Sequence, residues 1–230
     1  MPKSLVVLAL IDICVLALSP ALFAQDLTSV ESFKVGTFAI DHRPSVGLVL
    51  RNDQLIVDLA AANQAIELMP EYRHINMPGD MLGLISEYEY GLKFRVYEIV
   101  NWLVQGNLLN PGHHPHYVHQ LDSVDILAPI QYPSKIMNAA VNFYTHACEG
   151  CSAAELAART QERQDNRGVP YLFLKPTRGA VIGDGDDIII PFGRDRIEWE
   201  VELAIVFGRT GKYISASRAY DHVFGYMVAM

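Results

Sequence analysis

The sequence predicts an α+β fold that is mainly β and is divided into two parts. Half of the 230 residues are hydrophobic and 19% are charged, which suits a packed core and argues against extended disorder. Short apolar runs broken by Gly, Pro, Asn and Asp predict strands in both halves, whereas helical spacing is concentrated at residues 77–105. A stretch rich in Pro, Gly and His, residues 106–135, separates a small α+β domain at 28–122 from a second domain at 126–230.

The charge of the chain narrows the classes of partner. The formal net charge is −8, and the 18 Lys and Arg residues form no dense cluster. A nucleic-acid or anionic-lipid surface requires such a cluster. We therefore expect no nucleic-acid partner and no membrane-surface partner.

The first 24 residues predict a secretory signal peptide. Lys3 gives a basic start, residues 5–18 form an apolar stretch, and Ala24 offers a small residue at a cleavage point, although Asp12 is unusual in such a stretch. The stretch is shorter than the roughly 20 apolar residues of a membrane-spanning helix. We expect a cleaved signal rather than a permanent anchor, and hence a periplasmic or secreted protein without membrane attachment after cleavage.

The first domain combines a small sheet with helices. Residues 33–64 alternate apolar and polar side chains in short runs separated by turn residues, which predicts a β-meander. Residues 77–105 have the apolar spacing of one or two helices, which we expect to cover the meander.

Four histidines lie in the stretch between the domains. They are His113, His114, His116 and His119. A loop interrupted by proline cannot hold them at a regular helical or strand spacing, so a solvated loop is favoured over a metal site.

The second domain is predicted to be rich in strands. Residues 135–146 begin as a buried strand and continue into a turn, and residues 152–166 predict a helix because Ser152 and Glu155 form a capping box. A short helix is expected at 217–223. Further strand-like runs lie at 171–176, 180–183, 186–193, 197–208, 211–215 and 223–230.

Three glutamates alternate with apolar residues in the run at 197–208. Because successive side chains of a strand point to opposite faces, the acids should share one face and the apolar residues should face the core. The acids are Glu198, Glu200 and Glu202, and the apolar residues are Trp199, Val201 and Leu203. A solvated strand edge and a site for Mg²⁺, Mn²⁺ or Ca²⁺ both explain the pattern. Glu198 is the acid we expect to stay in solvent.

His146 and Glu149 are neighbours on a turn because they are three residues apart. A carboxylate beside a histidine orients the ring and makes it more basic, so the ring can accept a proton near neutral pH. A purely structural pair remains the alternative. Cys148 and Cys151 belong to the same turn, and either a local disulfide or two free thiols is consistent with their spacing, which is a poor zinc signal without a second pair.

These motifs together resemble the fumarylacetoacetate hydrolase family. The resemblance runs through residues 127–230, in LAPIQYPSKIMNAAVNFYTHACE, YLFLKP, GDDIIIP, WEVELAIVFGRTGKYIS and AYDHVFGYMVAM, and more loosely through residues 33–64. It implies a mixed β-sandwich or roll for the second domain. It also implies that Glu200 and Glu202 bind Mg²⁺ or Mn²⁺, with Ca²⁺ as a third option.

The same resemblance implies a reaction. His146 and Glu149 correspond to a dyad that activates water, and Lys175 matches a recurrent family lysine. The expected function is metal-dependent hydrolysis or lysis of C–C bonds in 2-oxo acids, acylpyruvates or β-diketone-like compounds, in which the metal stabilises an enolate. Isomerisation or oxaloacetate-type decarboxylation is the alternative, and a non-catalytic exported binding protein on this fold is another. By the same resemblance we expect a homodimer.

The sequence also departs from the family pattern. Phe143 follows Asn142 where the family usually has tyrosine, a family glycine corresponds to Ala140, and residues 151–168 resemble the insertions that vary among members. The third metal ligand of the family is an aspartate expected just beyond Met230. We therefore expect the second domain to be incomplete at its C-terminal end and the 230-residue chain not to be fully competent alone.

Overall fold

A five-stranded antiparallel sheet with helices against one face forms the first half of the protein, in a computed structural model that describes residues 27–112, 114–143 and 145–230. The predicted signal peptide lies outside the described residues. The α+β class predicted from the sequence is confirmed, and every strand pairing is antiparallel.

The first three strands form the predicted meander. They are β1 (Lys34–Ile40), β2 (Arg43–Leu50) and β3 (Leu55–Asp58). The β1–β2 loop has two residues, Asp41 and His42, with φ angles of 49° and 60°. Two left-handed residues in a two-residue loop match the right-handed twist of the flanking strands.

Two short strands complete the sheet. β4 (Val118–Gln120) pairs with β3, and β5 (Asp125–Leu127) pairs with β1, giving the order β4-β3-β2-β1-β5. The sheet therefore extends to Leu127, although the boundary between the two domains stays a prediction.

Three helices cover one face of this sheet. They are α1 (Leu59–Ile66), α2 (Met81–Glu87) and α3 (Lys93–Gln105). The two at 81–105 confirm the one or two helices predicted for 77–105, whereas the helix at 59–66 replaces the end of the run predicted as a β-meander. The side chains of Asp58 and Asp80 accept hydrogen bonds from the third residue of α1 and of α2 and so cap their N-termini. A π-helical turn, Tyr88–Leu92, joins α2 to α3.

The main core lies between the helices and the sheet. Its fully buried side chains include Leu48, Leu50 and Val57 on the strands and Val96, Ile99, Val100 and Leu103 on α3. The α3 residues recur at the spacing of one helical face. A smaller cluster of Phe38, Ile40 and Ile56 covers the opposite face of the sheet.

The second half contains two separate two-stranded sheets and one helix. β6 (Ile136–Ala139) pairs with β7 (Leu172–Lys175), and β8 (Glu202–Phe207) pairs with β9 (Val223–Ala229). The predicted helix is confirmed as α4 (Ala153–Asp165), with its capping box between Ser152 and Glu155. The predicted short helix is a 3₁₀ helix, Ala216–His222. The larger sandwich or roll stays a prediction.

Several predicted strands in this half are wrong. Residues 180–183, 186–193 and 211–215 form no strand in the described structure, and the run at 197–208 becomes a strand only from Glu202. A strand requires a neighbour for its backbone hydrogen bonds. The apolar residues of the 186–193 run are exposed, with Ile189 at 85%.

The predicted core face of the glutamate run is also wrong. Trp199, Val201 and Leu203 are 73%, 65% and 63% exposed. The half-buried face of β8 carries Glu202 and Val206 instead, because Val206 packs against the core of the first half. The prediction that β6 is buried fails as well, since β6 pairs only with β7 and Met137 on it is 51% exposed.

The β8–β9 hairpin docks on the π-helical turn of the first half. The rings of Phe224 and Tyr88 meet edge to face with centroids 5.0 Å apart. Next to them, Arg209 Nη2 lies 2.7 Å from Glu89 Oε2, which also accepts from Lys93 Nζ at 3.0 Å. These contacts fix the hairpin that begins with Glu202.

Among the described residues, no helix has both the length and the apolar character needed to cross a bilayer.

Candidate functional site

The dyad of His146 and Glu149 forms on a single 3₁₀ turn, His146–Cys148, that follows β6. His146 Nδ1 lies 2.6 Å from Glu149 Oε1, as the spacing predicts. Both side chains are accessible, at 46% and 75% exposure. Because Nδ1 is engaged by the carboxylate, Nε2 is the ring nitrogen left to exchange a proton with a substrate or with water.

Three carboxylates raise the pKa of His146. The hydrogen bond from Glu149 and then the charge of Glu149 raise the pKa of His146 above 6.5, against a smaller opposing effect of burial, and the charges of Glu200 and Glu202 raise the pKa further. Coulomb interactions weaken with distance. The two predicted metal ligands therefore act on the protonation of the dyad through their charges.

Glu200 and Glu202 occupy different backbone environments. Glu202 is the first residue of β8, is half-buried and pairs with Ala229, whereas Glu200 is exposed and lies just outside the strand. Glu198 is exposed in the same irregular segment. Its predicted role as a bystander stays a prediction.

The carboxylates of Glu200 and Glu202 are the type of ligand that a hard divalent cation prefers, but two carboxylates are too few to complete its coordination shell. Mg²⁺, Mn²⁺ and Ca²⁺ prefer carboxylate oxygens and complete their shells with water or further oxygens. Within residues 27–112, 114–143 and 145–230, no group of three or more His, Cys, Asp or Glu side chains is arranged to hold a metal ion. Glu200 and Glu202 would therefore supply only part of a coordination shell.

The histidines of the central loop were predicted to be solvated. His113 lies outside the described residues. His119 is half-buried in β4, where it pairs with Ile56, so the prediction of a solvated loop is wrong for this residue. His116 is exposed, as predicted, whereas Nε2 of His114 is buried.

The structure joins Cys148 and Cys151 in a disulfide, which the spacing alone left open. We call residues 145–152 the disulfide turn. Backbone hydrogen bonds from the Cys148 amide to Thr145 and from the Cys151 amide to Cys148, both 3.2 Å, shape it together with a left-handed Gly150 at φ 78°. The resulting ring encloses Glu149, a feature that the positions of the two cysteines on either side of this residue could have predicted.

Helix α4 follows the disulfide turn directly. The capping box at its N-terminus includes the Ser152 amide, which donates to Glu155 Oε2 at 2.9 Å. Near its other end, Arg163 Nη1 donates to the carbonyl oxygen of Val141 at 3.1 Å. The helix is thus tied to the chain on both sides of the dyad.

Lys175 is placed at one end of the β6–β7 ladder. It pairs with Ile136, whereas the chain leaves β6 toward the dyad from Ala139, three residue pairs away. Three residues of a strand span about 10 Å. The site role of Lys175 stays a prediction.

The comparison with protein families identifies this region. The fumarylacetoacetate (FAA) hydrolase C-terminal family matches residues 135–230, which contain the dyad, Lys175 and both glutamates. This region belongs to the fumarylacetoacetate hydrolase family. The family resemblance read from the motifs is therefore confirmed.

Curated relatives match either this family region or a longer part of the chain. The oxaloacetate tautomerase YisK of Bacillus subtilis is 30% identical over 201 residues, which are 85% of this chain and 58% of that protein. The mitochondrial oxaloacetate tautomerase FAHD2A of Bos taurus is 34% identical over 108 residues, which are 46% of this chain and 30% of that protein. The chain thus spans at most about six tenths of the length of these two relatives.

A solved structure is similar over much of the chain. It is a maleylpyruvate hydrolase from Sphingobium sp. SYK-6 in complex with manganese(II) and pyruvate. The identity is 23% and the TM-score is 0.49, with 86% of this chain and 57% of that chain covered.

Proposed function

We propose that this chain supplies the metal-binding and proton-transfer residues of an enzyme acting on 2-oxo acids, and that its reaction interconverts the keto and enol forms of an oxaloacetate-like dicarboxylate. One observation carries the proposal. The His146–Glu149 dyad lies where the charges of Glu200 and Glu202 act on the histidine. The names of the two curated relatives, both oxaloacetate tautomerases, support the choice of reaction.

The residues of the chain have separate roles in this reaction. His146 Nε2 removes a proton from the carbon beside the 2-oxo group, and the electron pair of that C–H bond moves to form the enolate. Glu149 holds the ring by Nδ1 and stabilises the imidazolium that results. Return of the proton to the enolate oxygen gives the enol. A divalent cation held by Glu200 and Glu202 would polarise the carbonyl and offset the developing negative charge.

Charge balance links the metal ligands to the base. Without a cation, Glu200 and Glu202 help to raise the pKa of His146 and so favour the protonated ring, which cannot accept a proton. A cation at these carboxylates offsets their charge and favours the neutral ring. The same ion would therefore prepare the substrate and the base.

C–C bond hydrolysis is the second candidate. It is favoured by the exposure of the dyad, because Glu149 is 75% exposed and water reaches it directly. In that reaction His146 would take its proton from water, and the resulting hydroxide would attack the carbonyl carbon of an acylpyruvate.

The strand register supports the third ligand expected from the family resemblance. Glu202 pairs with Ala229, so continuation of the ladder would place the position after Met230 opposite Glu200. Paired residues and alternate residues share a face. A protein with an aspartate at that position should bind Mn²⁺ more tightly in calorimetry than the 230-residue chain does. Equal affinity would contradict this assignment.

We also propose export and a homodimeric state. The apolar start of the sequence and the Cys148–Cys151 disulfide both support a periplasmic or secreted location, because disulfides persist in oxidising compartments. The homodimer is proposed from the family resemblance.

Metal binding is tested by NMR on the 230-residue chain. Paramagnetic Mn²⁺ should broaden the signals of His146 and of residues 200–203 first. The double variant Glu200→Gln/Glu202→Gln should lose this selective broadening, and Glu198→Gln, a matched change in the same segment, should retain it. Broadening that is the same in the double variant and the parent would exclude the site.

Turnover is tested with a protein that carries the third ligand proposed above, in Mg²⁺ or Mn²⁺. Loss of the ultraviolet absorbance of enol-oxaloacetate is compared with the rate in metal alone, and acylpyruvate cleavage is measured in parallel. His146→Gln should lower the active rate by about 10²- to 10⁴-fold, the usual contribution of a general base. An unchanged rate would refute the role of His146, and cleavage without tautomerisation would favour the second candidate.

A further inference from the structure

The disulfide turn surrounds one member of the dyad and adjoins the other. Cys148 and Cys151 close a ring that contains Glu149, and His146 lies two residues before the ring. Ser152, which follows the ring, begins the capping box of α4. The backbone on both sides of Glu149 is therefore restrained by a covalent bond.

Packing against neighbouring side chains does little to hold His146 and Glu149 in place. His146 is 46% exposed and Glu149 is 75% exposed, so neither is held by a surrounding core. Cys148 is only 7% exposed, and it is the one buried residue among those after Ala128 whose burial the structure describes. The disulfide is thus a covalent restraint on the exposed turn that carries the 2.6 Å contact between His146 and Glu149.

The two sulfurs differ in accessibility. Cys148 is buried, whereas Cys151 belongs to the partly exposed residues. Thiol–disulfide exchange requires a thiolate to reach one sulfur of the bond. Cys151 Sγ is the sulfur that an external reductant would reach.

We propose that the Cys148–Cys151 disulfide is a redox-controlled positioning element for the His146–Glu149 dyad. The contact between His146 and Glu149 forms in the oxidised protein and loosens when a dithiol reduces the disulfide. This inference rests on the proposed function only for its effect on turnover. Its effect on the dyad itself can be measured without substrate or metal.

The redox step is balanced by the dithiol. One thiolate attacks Cys151 Sγ and forms a mixed disulfide, and Cys148 leaves as a thiolate that takes up a proton. The second thiol of the reductant then displaces Cys151 and closes its own disulfide. The protein gains two thiols, and the reductant supplies two electrons and two protons.

The first test is a pH titration of the His146 imidazole by NMR in metal-free solution, with the signal assigned by its loss in His146→Gln. The oxidised chain should show the raised pKa that Glu149 produces, on top of the smaller effects of Glu200 and Glu202. After reduction, verified as two additional thiols per chain, the pKa should fall toward 6.5. An unchanged pKa in the fully reduced chain would overturn the proposal.

Two variants sharpen this test. The double variant Cys148→Ser/Cys151→Ser, checked for its fold by circular dichroism, should give the lower pKa with and without reductant. Glu149→Gln should give the lower pKa while its disulfide is intact, which separates loss of the carboxylate from loss of the ring. If the double variant does not fold, reduction of the parent chain still decides the question.

Turnover gives an independent measurement. In the protein used for the turnover assay, reduction should lower kcat by about 10-fold or more with a smaller change in KM, because general-base catalysis is lost while substrate binding remains. Reoxidation should restore kcat. Absence of any 2-oxo acid turnover would refute the proposed function, whereas the pKa result would still decide the role of the disulfide.

Discussion

At the scale of single residues, the protonation of His146 depends on three carboxylates. The hydrogen bond and charge of Glu149 raise its pKa, and Glu200 and Glu202 add to the effect. A histidine with a raised pKa in the folded state stabilises that state fully below 6.5, its ordinary value, and the contribution is lost as pH rises through the raised value. His146 is therefore most protonated, and least able to accept a proton, in the pH range in which its pair with Glu149 contributes most to stability.

A cation should change this titration. If Glu200 and Glu202 bind Mg²⁺, saturating Mg²⁺ should lower the pKa of His146, because the ion offsets two of the charges that raise it. NMR titration with and without Mg²⁺ measures the effect, and Glu198→Gln serves as the matched control. A Mg²⁺-independent pKa would contradict the assignment of the two ligands.

A second residue-scale prediction concerns Glu67 in the first half. Burial works to raise the pKa of Glu67, but hydrogen bonds from the Ile75 amide at 2.7 Å, His74 at 2.7 Å and Asn63 at 2.9 Å outweigh it and lower the pKa. A lowered carboxyl pKa stabilises the fold above pH 4.5, and this stabilisation is lost as pH falls through the lowered value.

Removal of this carboxylate should therefore destabilise the protein near neutral pH. Glu67→Ala should reduce the free energy of unfolding by about 1–3 kcal/mol, since it leaves an N–H of the buried Asn63 side chain and the Ile75 amide without their acceptor. Urea unfolding measures the change. Glu71→Ala, at an exposed position four residues later, should be nearly neutral, and an equal loss in both variants would contradict the role of Glu67.

At the scale of elements, the docking of the β8–β9 hairpin controls the position of Glu202. Phe224→Ala removes the ring that meets Tyr88 and should lower the free energy of local opening of β8 by about 1–3 kcal/mol. Hydrogen exchange of the β8 amides measures this opening. Tyr226→Ala, on the exposed face of the same strand at 55% exposure, is the control. Equal exchange in the two variants would show that the Tyr88 contact does not hold the hairpin.

The sequence was sufficient for elements that depend on local signals. The meander, α3 and α4 follow from alternation, helical spacing and the capping box, and the contact of His146 with Glu149 follows from their spacing. The face of β8 was predicted wrongly because its burial comes from the packing of Val206 against the core of the first half, whose residues are far away in the sequence.

Other features could not be predicted from the sequence because local patterns do not specify the partner of a residue or segment. The Ile-rich run at 186–193 has strand-like composition, but composition does not provide a pairing partner. The spacing of Cys148 and Cys151 allows free thiols as well as a disulfide, so the pairing needed the structure. In the sequence, only the family resemblance linked Glu200 to His146. In the structure, the charge of Glu200 raises the pKa of His146.

At the scale of the whole molecule, the two halves differ in burial. The first half has a continuous core, whereas the second half exposes large apolar side chains such as Val169 at 95%, Ile189 at 85% and Tyr171 at 71%. Exposed apolar surface of this extent is typical of an interaction site. We expect a homodimer, so sedimentation equilibrium should give about twice the mass of one chain. A mass of one chain across the micromolar range would contradict this.

The contact of the β8–β9 hairpin with the first-half core makes that core a reporter of cation occupancy. A ligand that binds only the folded protein stabilises it by about 2.7 kcal/mol at a concentration of one hundred times Kd. Trp102 in α3 stacks on Tyr117 in the first half, and Trp199 is the only other tryptophan. In a Trp199→Phe chain, the melting temperature recorded by Trp102 should rise with Mg²⁺, and adding Glu202→Gln should abolish the rise. Binding of a cation in the second half would then raise the melting temperature of the first-half sheet without any contact between the cation and that sheet.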